Sequence, residues 1–376
     1  MGRRAASMLA QSEFQLQDIA VARPRLPTLE AIAPYIRRID QARFYSNFGP
    51  LTQEFEQRLA ARFGAGAFVS TAANATQALA VGLRALNAPQ GSLCIAPSWT
   101  FVATAHAIMQ AGLVPYFVDV DPENWMLEAD AAEAALARAP GVVGAVIPVC
   151  PFGAMIDVGA WRAFRERTNV PVLIDAAAAF DSLVGADIPA CVSLHATKAL
   201  GVGEGGFLVT TDRALSDRFR HLTSFGFNGS RDSLFPATNA KLSEYAAAVG
   251  HAALDTWPHE RLRLLRAAQL LRIALTKTPQ VKFQEGWGVA WVSSTCVVTI
   301  PKGRTEAIVA ALAAVGVETR QWWGRGCHTS TAFMDCPRAD LPNTETLGAS
   351  TIGLPFSNDL SGPEISRIAA ALIAAL

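Results

Sequence analysis

Between Phe68 and Thr210, short apolar runs of β-forming residues alternate with helical patterns, and this alternation confines the chain to an α/β architecture. The expected strands are residues 68–71, 93–96, 115–120, 142–149, 170–174, 190–194 and 206–210. Several are apolar on both faces, as strands covered by helices on two sides should be. Helical segments are expected between them at 76–86, 102–111, 128–138 and 158–167. Repeated strand–helix–strand units of this kind predict a mainly parallel sheet in a three-layer α/β domain. Ahead of them, residues 52–63 read as a helix, because Phe55, Leu59 and Phe63 recur on one face and Gly64 supplies a C-terminal cap.

After Thr210 the pattern changes. Residues 242–275 read as helix with a break or kink at Pro258, 291–301 as a strand, and 305–315 and 364–376 as amphipathic helices. The expected division is a large α/β domain with an N-terminal arm over residues 1–257 and a smaller α+β domain over 258–376. Charged residues make up only 17% of the 376-residue chain, where about 25% is usual, so a large core or a subunit interface is expected. Lys+Arg and Asp+Glu both number 32, and a net charge of zero weighs against a nucleic-acid partner. The six cysteines form no CxxC pair and read as small buried hydrophobes, with neither a disulfide framework nor a metal site implied. The uncharged stretch 85–118 is interrupted by Asn, Gln, Pro, Ser and His, so no membrane span is expected. Arg3 and Arg4 are followed by no continuous apolar run, which makes a signal peptide a poor reading and a cytoplasmic protein the expectation.

Residues 201–206 match G-x-G-x-x-G, but a β-type run follows them where a dinucleotide site needs a helix. Tight-turn glycines explain the match better. Asp175 directly follows the apolar strand Val172-Leu173-Ile174, and so reads either as a loop carboxylate or as an acid facing the ligand crevice. Lys198, after the next strand, favours the second reading. A lysine in so apolar a segment is costly without a partner or a covalent task, and desolvation drives its amine toward the neutral form that Schiff-base chemistry requires. Enzymes using pyridoxal 5′-phosphate (PLP) also need an acid beside the pyridine nitrogen, and Asp175 and Lys198 on adjacent strand ends would supply both groups. Asn74-Ala75-Thr76 opens a helix, where it can serve as an N-cap or as a phosphate cradle. Ser193 could add a hydroxyl. Phe101 reads as a core aromatic or as a ring stacked on the pyridine.

Together these segments resemble the DegT/DnrJ/EryC1/StrS family of PLP-dependent nucleotide-sugar aminotransferases, which have the aspartate aminotransferase-type fold (fold type I). The matches include Ser46-Asn47-Phe48-Gly49-Pro50, Asn74 to Leu79, Thr100 to Thr104, Asp119-Val120-Asp121, Asp175-Ala176-Ala177, Ser193 to Lys198, Gly203 to Gly206 and Asn239 to Glu244. The resemblance implies that Lys198 carries PLP and shuttles protons while Asp175 faces the pyridine nitrogen. It implies that Ala75, Thr76 and Ser193 hold the phosphate, that Asn239 reaches the phosphate of a second subunit, and that Phe101 stacks on the ring. The family usually has Gly where Ala75 stands, and His or Gln where Ala178 stands. In Glu318 to His328 the resemblance points to the sugar-nucleotide site, with Arg320, Trp322, Arg325 and His328 as substrate contacts. Two surface arginines beside a buried tryptophan pair are the other reading of that segment.

The function this implies is amino transfer from L-glutamate to a nucleotide-linked keto-deoxysugar, such as a dTDP-linked 4-keto-6-deoxyhexose. It would occur in a cytoplasmic homodimer with shared active sites, and serve amino-sugar or lipopolysaccharide biosynthesis. Two rivals were weighed against it. A sugar dehydratase of the same fold is disfavoured because family dehydratases replace the lysine with histidine. A regulatory protein that binds PLP without turnover would be separated by an assay for glutamate-dependent conversion of the cofactor.

Overall fold

The computed structural model describes residues 18–376, so Arg3 and Arg4 lie outside the described residues. Helices α1 (Leu29–Ala42) and α2 (Pro50–Arg62) precede a run of seven strands and their crossovers. In order these are β1 (Phe68–Ala72), α3 (Ala75–Ala85), β2 (Leu93–Pro97), α4 (Val102–Gln110), β3 (Val114–Val118), α5 (Ala129–Leu136) and β4 (Val143–Val146). They continue as α6 (Val158–Thr168), β5 (Ile174–Asp175), β6 (Ala190–Ser193) and β7 (Gly206–Thr210). Strand β2 lies parallel between β3 and β4, and β5 lies parallel to β6. Parallel bridges Val146–Val172 and Val149–Asp175 join the two sets, giving the order β3-β2-β4-β5-β6-β7-β1. Strand β7 alone runs opposite to both of its neighbours. The fold is therefore the expected mainly parallel α/β type.

Period-2 alternation sends successive side chains to opposite faces, and both faces are apolar. Leu173, Cys191 and Leu208 join a cluster with Leu79, Leu83 and Ile108, under α3, α4 and α7 (Arg213–Leu222). Ile174, Val192 and Phe207 join the opposite cluster with Leu59, Trp161 and Phe164 from α2 and α6. Helix α3 approaches the sheet closely because Gly82 has no side chain: a Cβ there would stand 2.9 Å from Leu173 Cδ2. Phe55 and Leu59 are wholly buried, and Gly64 adopts φ +100° just beyond α2, where a side chain would be strained.

Helix α8 (Glu244–Ala274) runs unbroken through Pro258, so the expected break does not occur. The ring removes one backbone donor, the bond to Leu254, while Trp257 and Leu264 remain packed in the core on either side. Beyond it, β8 (Lys282–Phe283), β9 (Cys296–Thr299) and β10 (Thr351–Leu354) form an antiparallel sheet. It is flanked by α9 (Thr305–Ala314), α10 (Pro342–Ser350) and α11 (Gly362–Ala375). Of the strand expected over 291–301, Cys296–Thr299 forms β9, and Trp291 makes an isolated bridge to Trp287. Residues 18–28 cross to this part of the molecule, where Ile19 donates to Gly316 O (2.8 Å) and Val21 to Glu318 Oε2 (2.9 Å). Among the described residues no helix is long and apolar enough to cross a membrane.

Candidate active site

Strand register gathers the chemistry at one end of the sheet. Asp175 ends β5 and pairs with Cys191 of β6, two residues before Ser193. Ser193 pairs with Gly206, and Gly206 pairs on its other side with Ala72, just ahead of α3. The carboxylate, the hydroxyl and the helix N-terminus thus fall in one row, with Lys198 in the loop between β6 and β7. That loop is closed by Lys198 N–H donating to His195 O (2.9 Å) and Ala196 N–H to Gly203 O (2.8 Å).

Asp175 is buried, and burial pushes its carboxyl above the usual range. Three groups oppose the shift: Thr104, which donates to Oδ2 at 2.7 Å; the Ala177 N–H, which donates to Oδ1 at 3.0 Å; and the charge of Lys198. Because the Thr104 proton is committed to Asp175, Thr100 must donate to Thr104 across their 2.8 Å contact. Asp175 has no cation within ion-pair distance among the described residues. A buried carboxylate held by neutral donors is a place for a cationic ring N–H.

Lys198 keeps some surface exposure, yet enough protein surrounds its ammonium that burial lowers its pKa, opposed by the charge of Asp175. It is among the residues that line a cavity of about 210 Å³. The phosphate end of the site is the first turn of α3. There the Gln77 N–H is taken by Asn74 Oδ1 (2.9 Å) and the Ala78 N–H by Asn74 O (3.0 Å), so the Ala75 and Thr76 donors remain for an anion. The Ser193 hydroxyl oxygen accepts from the His195 N–H at 3.2 Å, which leaves its own proton to donate. These groups fit PLP: an anion cradle, an amine and a buried carboxylate.

Gly206 explains the glycine-rich run. A Cβ there would lie 2.7 Å from Ala75 N and 2.8 Å from Ala75 Cα, so only glycine lets β7 pass beneath the cradle. The strand that begins at Gly206 excludes the dinucleotide reading of 201–206. Gly206→Ala should displace the first turn of α3 and cost about 1–3 kcal/mol of stability, the usual range for overpacking. Cofactor retained after dialysis should fall with it. A variant that melts and holds PLP like the parent would show that the contact is unimportant.

Phe101 is the N-cap residue of α4 and is 57% exposed, so the core-aromatic alternative fails. Asn239 is also exposed, with its side-chain oxygen accepting from Lys241 Nζ at 2.5 Å. Ala178 directly follows Ala177, whose N–H donates to Asp175, and its carbonyl faces Gly153, where a Cβ would come within 2.6 Å of it. Arg320 is exposed, pairs with Glu318 (3.3 Å) and lies over the Trp322 ring (5.0 Å), while Arg325 is exposed without an ion pair among the described residues. Trp322 is half-buried. His328 is buried, with Nδ1 2.7 Å from Ser98 Oγ, and burial lowers its pKa. Together with Cys327 N–H donating to Ser98 O (2.8 Å), it ties the C-terminal part to the loop that carries Phe101.

Two features escaped sequence reasoning. Thr100 stands just ahead of α4 and Thr104 in its first turn, but nothing local ties them to Asp175. The stack of Trp323 on Phe152 (3.9 Å) with its edge contact to Trp99 (5.4 Å) joins three distant segments.

The chain matches the DegT/DnrJ/EryC1/StrS aminotransferase family over residues 28–373. Protein Rv3402c of Mycobacterium tuberculosis is 27% identical over 374 residues, covering 95% of this chain and 90% of that protein. The dTDP-4-amino-4,6-dideoxy-D-glucose transaminase of Shigella dysenteriae is 32% identical over 245 residues, 64% of this chain and 65% of the relative. Among solved structures, DesI in the presence of its TDP-sugar product superposes with a TM-score of 0.87 at 31% identity, covering 96% of this chain and 93% of DesI.

Proposed function

Because the chain belongs to the DegT/DnrJ/EryC1/StrS aminotransferase family it is a PLP-dependent aminotransferase, and we propose that it moves an amino group from L-glutamate to a nucleotide-linked keto-deoxysugar. The observation that carries the chemistry is the buried Asp175 carboxylate beside an amine that burial keeps toward neutrality. When bound, PLP supplies an aldehyde carbon for the amine and a conjugated ring that accepts electrons from it. In this reading Lys198 Nζ holds the cofactor, takes the proton from the α-carbon of the donor, and later returns a proton on the path back. Asp175 keeps the proton on the ring nitrogen. The Ala75 and Thr76 N–H groups and the Ser193 hydroxyl bind the phosphate, and the exposed Phe101 ring covers one face of the pyridine.

A dTDP-linked acceptor is supported by the substrate named for the Shigella relative and by the TDP-sugar product named for DesI. Arg320 and Arg325 are the proposed contacts to its diphosphate and Trp322 to the sugar or base, in an enzyme of amino-sugar or lipopolysaccharide biosynthesis in the cytoplasm. A panel of dTDP- and UDP-linked keto-sugars assayed with L-glutamate tests the reading. Formation of an amino sugar from at least one is expected, and failure of all of them despite conversion of the cofactor by glutamate would exclude a nucleotide-sugar acceptor.

The active form is proposed to be a homodimer in which Asn239 reaches the phosphate site of the other chain; its exposure leaves it available for that contact. Lys198→Ala and Asn239→Ala chains, each crippled alone, should regain activity when mixed, since one site per heterodimer would be intact. No recovery after demonstrated subunit exchange would refute the shared site.

A further inference from the structure

The cavity beside Lys198 is walled by the N-terminal arm as well as by the cofactor loop. Its lining includes Arg23, Arg25, Lys198, Glu260, Ser357 and Asn358. Most of these groups already have partners. Arg23 pairs with Glu364, Glu260 accepts from Asn358 and pairs with Arg263 (3.5 Å), and the Ser357 hydroxyl donates to Asp359 Oδ1 (2.6 Å). Arg25 differs: it makes no ion pair and no hydrogen bond among the described residues. The backbone presenting it is held by Val21 N–H donating to Glu318 and by the Ala22–Phe356 bridge. Pro24 and Pro27 on either side fix their own φ and restrict the residues before them. An exposed, unengaged arginine on a braced arm therefore lines the same cavity as Lys198.

The unpaired cation selects the charge of the ligand, an anion. A cavity of about 210 Å³, partly open to solvent, has room for an amino acid. An amino donor carries a carboxylate on the carbon whose proton Lys198 must take, so its anion clamp has to stand near Lys198, and Arg25 is, among the described residues, an unpaired cation on the same lining. We propose that Arg25 binds a carboxylate of the amino donor, its planar fork matching the two oxygens. The inference rests on the aminotransferase reading above and adds the residue that selects the donor. The other anion within reach in the full complex is the diphosphate of the acceptor, and the experiment separates the two.

The test uses the PLP-loaded enzyme and its R25Q and R25K variants. L-glutamate is titrated without acceptor while the absorbance of the bound cofactor is followed, and binding of dTDP or UDP, whichever the wild type takes, is measured by calorimetry. In R25Q the half-saturating glutamate concentration should rise about tenfold to a hundredfold, the range for a lost hydrogen bond to a charged group. The limiting rate should change less than about threefold, R25K should recover part of the loss, and nucleotide affinity should stay within about twofold. An unchanged glutamate titration overturns the inference, and so does a loss confined to nucleotide affinity, which would assign Arg25 to the diphosphate. A wild-type enzyme whose cofactor responds to no amino acid would refute the aminotransferase reading itself and this inference with it, a result visible before any variant is compared.

Discussion

Lys198→Ala is expected to abolish turnover, lowering it by at least about ten-thousandfold, because the variant loses both the covalent attachment point and the proton carrier. General-base catalysis alone contributes roughly a hundredfold to ten-thousandfold. The fold should survive, since burial lowers the pKa of Lys198 and its amine therefore weighs against the folded state at neutral pH. The sign follows from linkage. A depressed lysine pKa gives stability that is present above the unfolded value and lost as pH falls through the folded one, so alanine removes a liability below that point. PLP should still bind through the α3 cradle, without covalent attachment. Borohydride reduction of the parent enzyme followed by peptide mapping gives an independent measurement. The cofactor mass should appear on the peptide containing Lys198, and label on another lysine would end the assignment.

The strand sequence was legible because the site-bearing strands are short, apolar on both faces and bounded by turn residues. Asp175 and Lys198 stood out for the same reason: an ionisable group amid Ile174, Leu194 and Leu200 has no bland explanation that costs nothing. What sequence could not supply was pairing between distant segments. Helices α1 and α7 were not anticipated, although Thr28 and Asp212 cap them as N-cap residues should. The antiparallel turn of β7 could not be seen from periodicity, since parallel and antiparallel buried strands share one apolar pattern. His328 was singled out through the resemblance alone, and its hydrogen-bond partner Ser98 lies too far away in the chain for sequence to join the two. The arm was passed over because Arg25 gains significance only when residues 18–28 cross to the C-terminal part and face Lys198.

Asp175→Asn should separate the cost of the site from its use. In the enzyme with PLP bound, removing the charge beside the ring nitrogen forfeits about 4 kcal/mol if two unit charges stand about 4 Å apart at an effective dielectric of 20. That converts to roughly a thousandfold loss in turnover. Without PLP the same substitution should stabilise the protein. Burial raises the carboxyl pKa of Asp175, so its contribution is fully present below the unfolded carboxylate value and is lost as pH rises through the higher folded one. Ionising Asp175 in the cofactor-free parent therefore costs stability that asparagine does not lose. The hydrogen bonds can be kept. The amide oxygen in the Oδ1 place still accepts from the Ala177 N–H, and the amide nitrogen donates to Thr104, which then donates to Thr100 by reversing that pair. The cofactor-free variant should melt a few degrees above the cofactor-free parent at neutral pH, with the gap closing as the pH falls and Asp175 takes up its proton. Equal melting temperatures at neutral pH would show that the Asp175 charge carries no burial cost, and turnover within tenfold of the parent would show that it does not face the ring nitrogen as proposed.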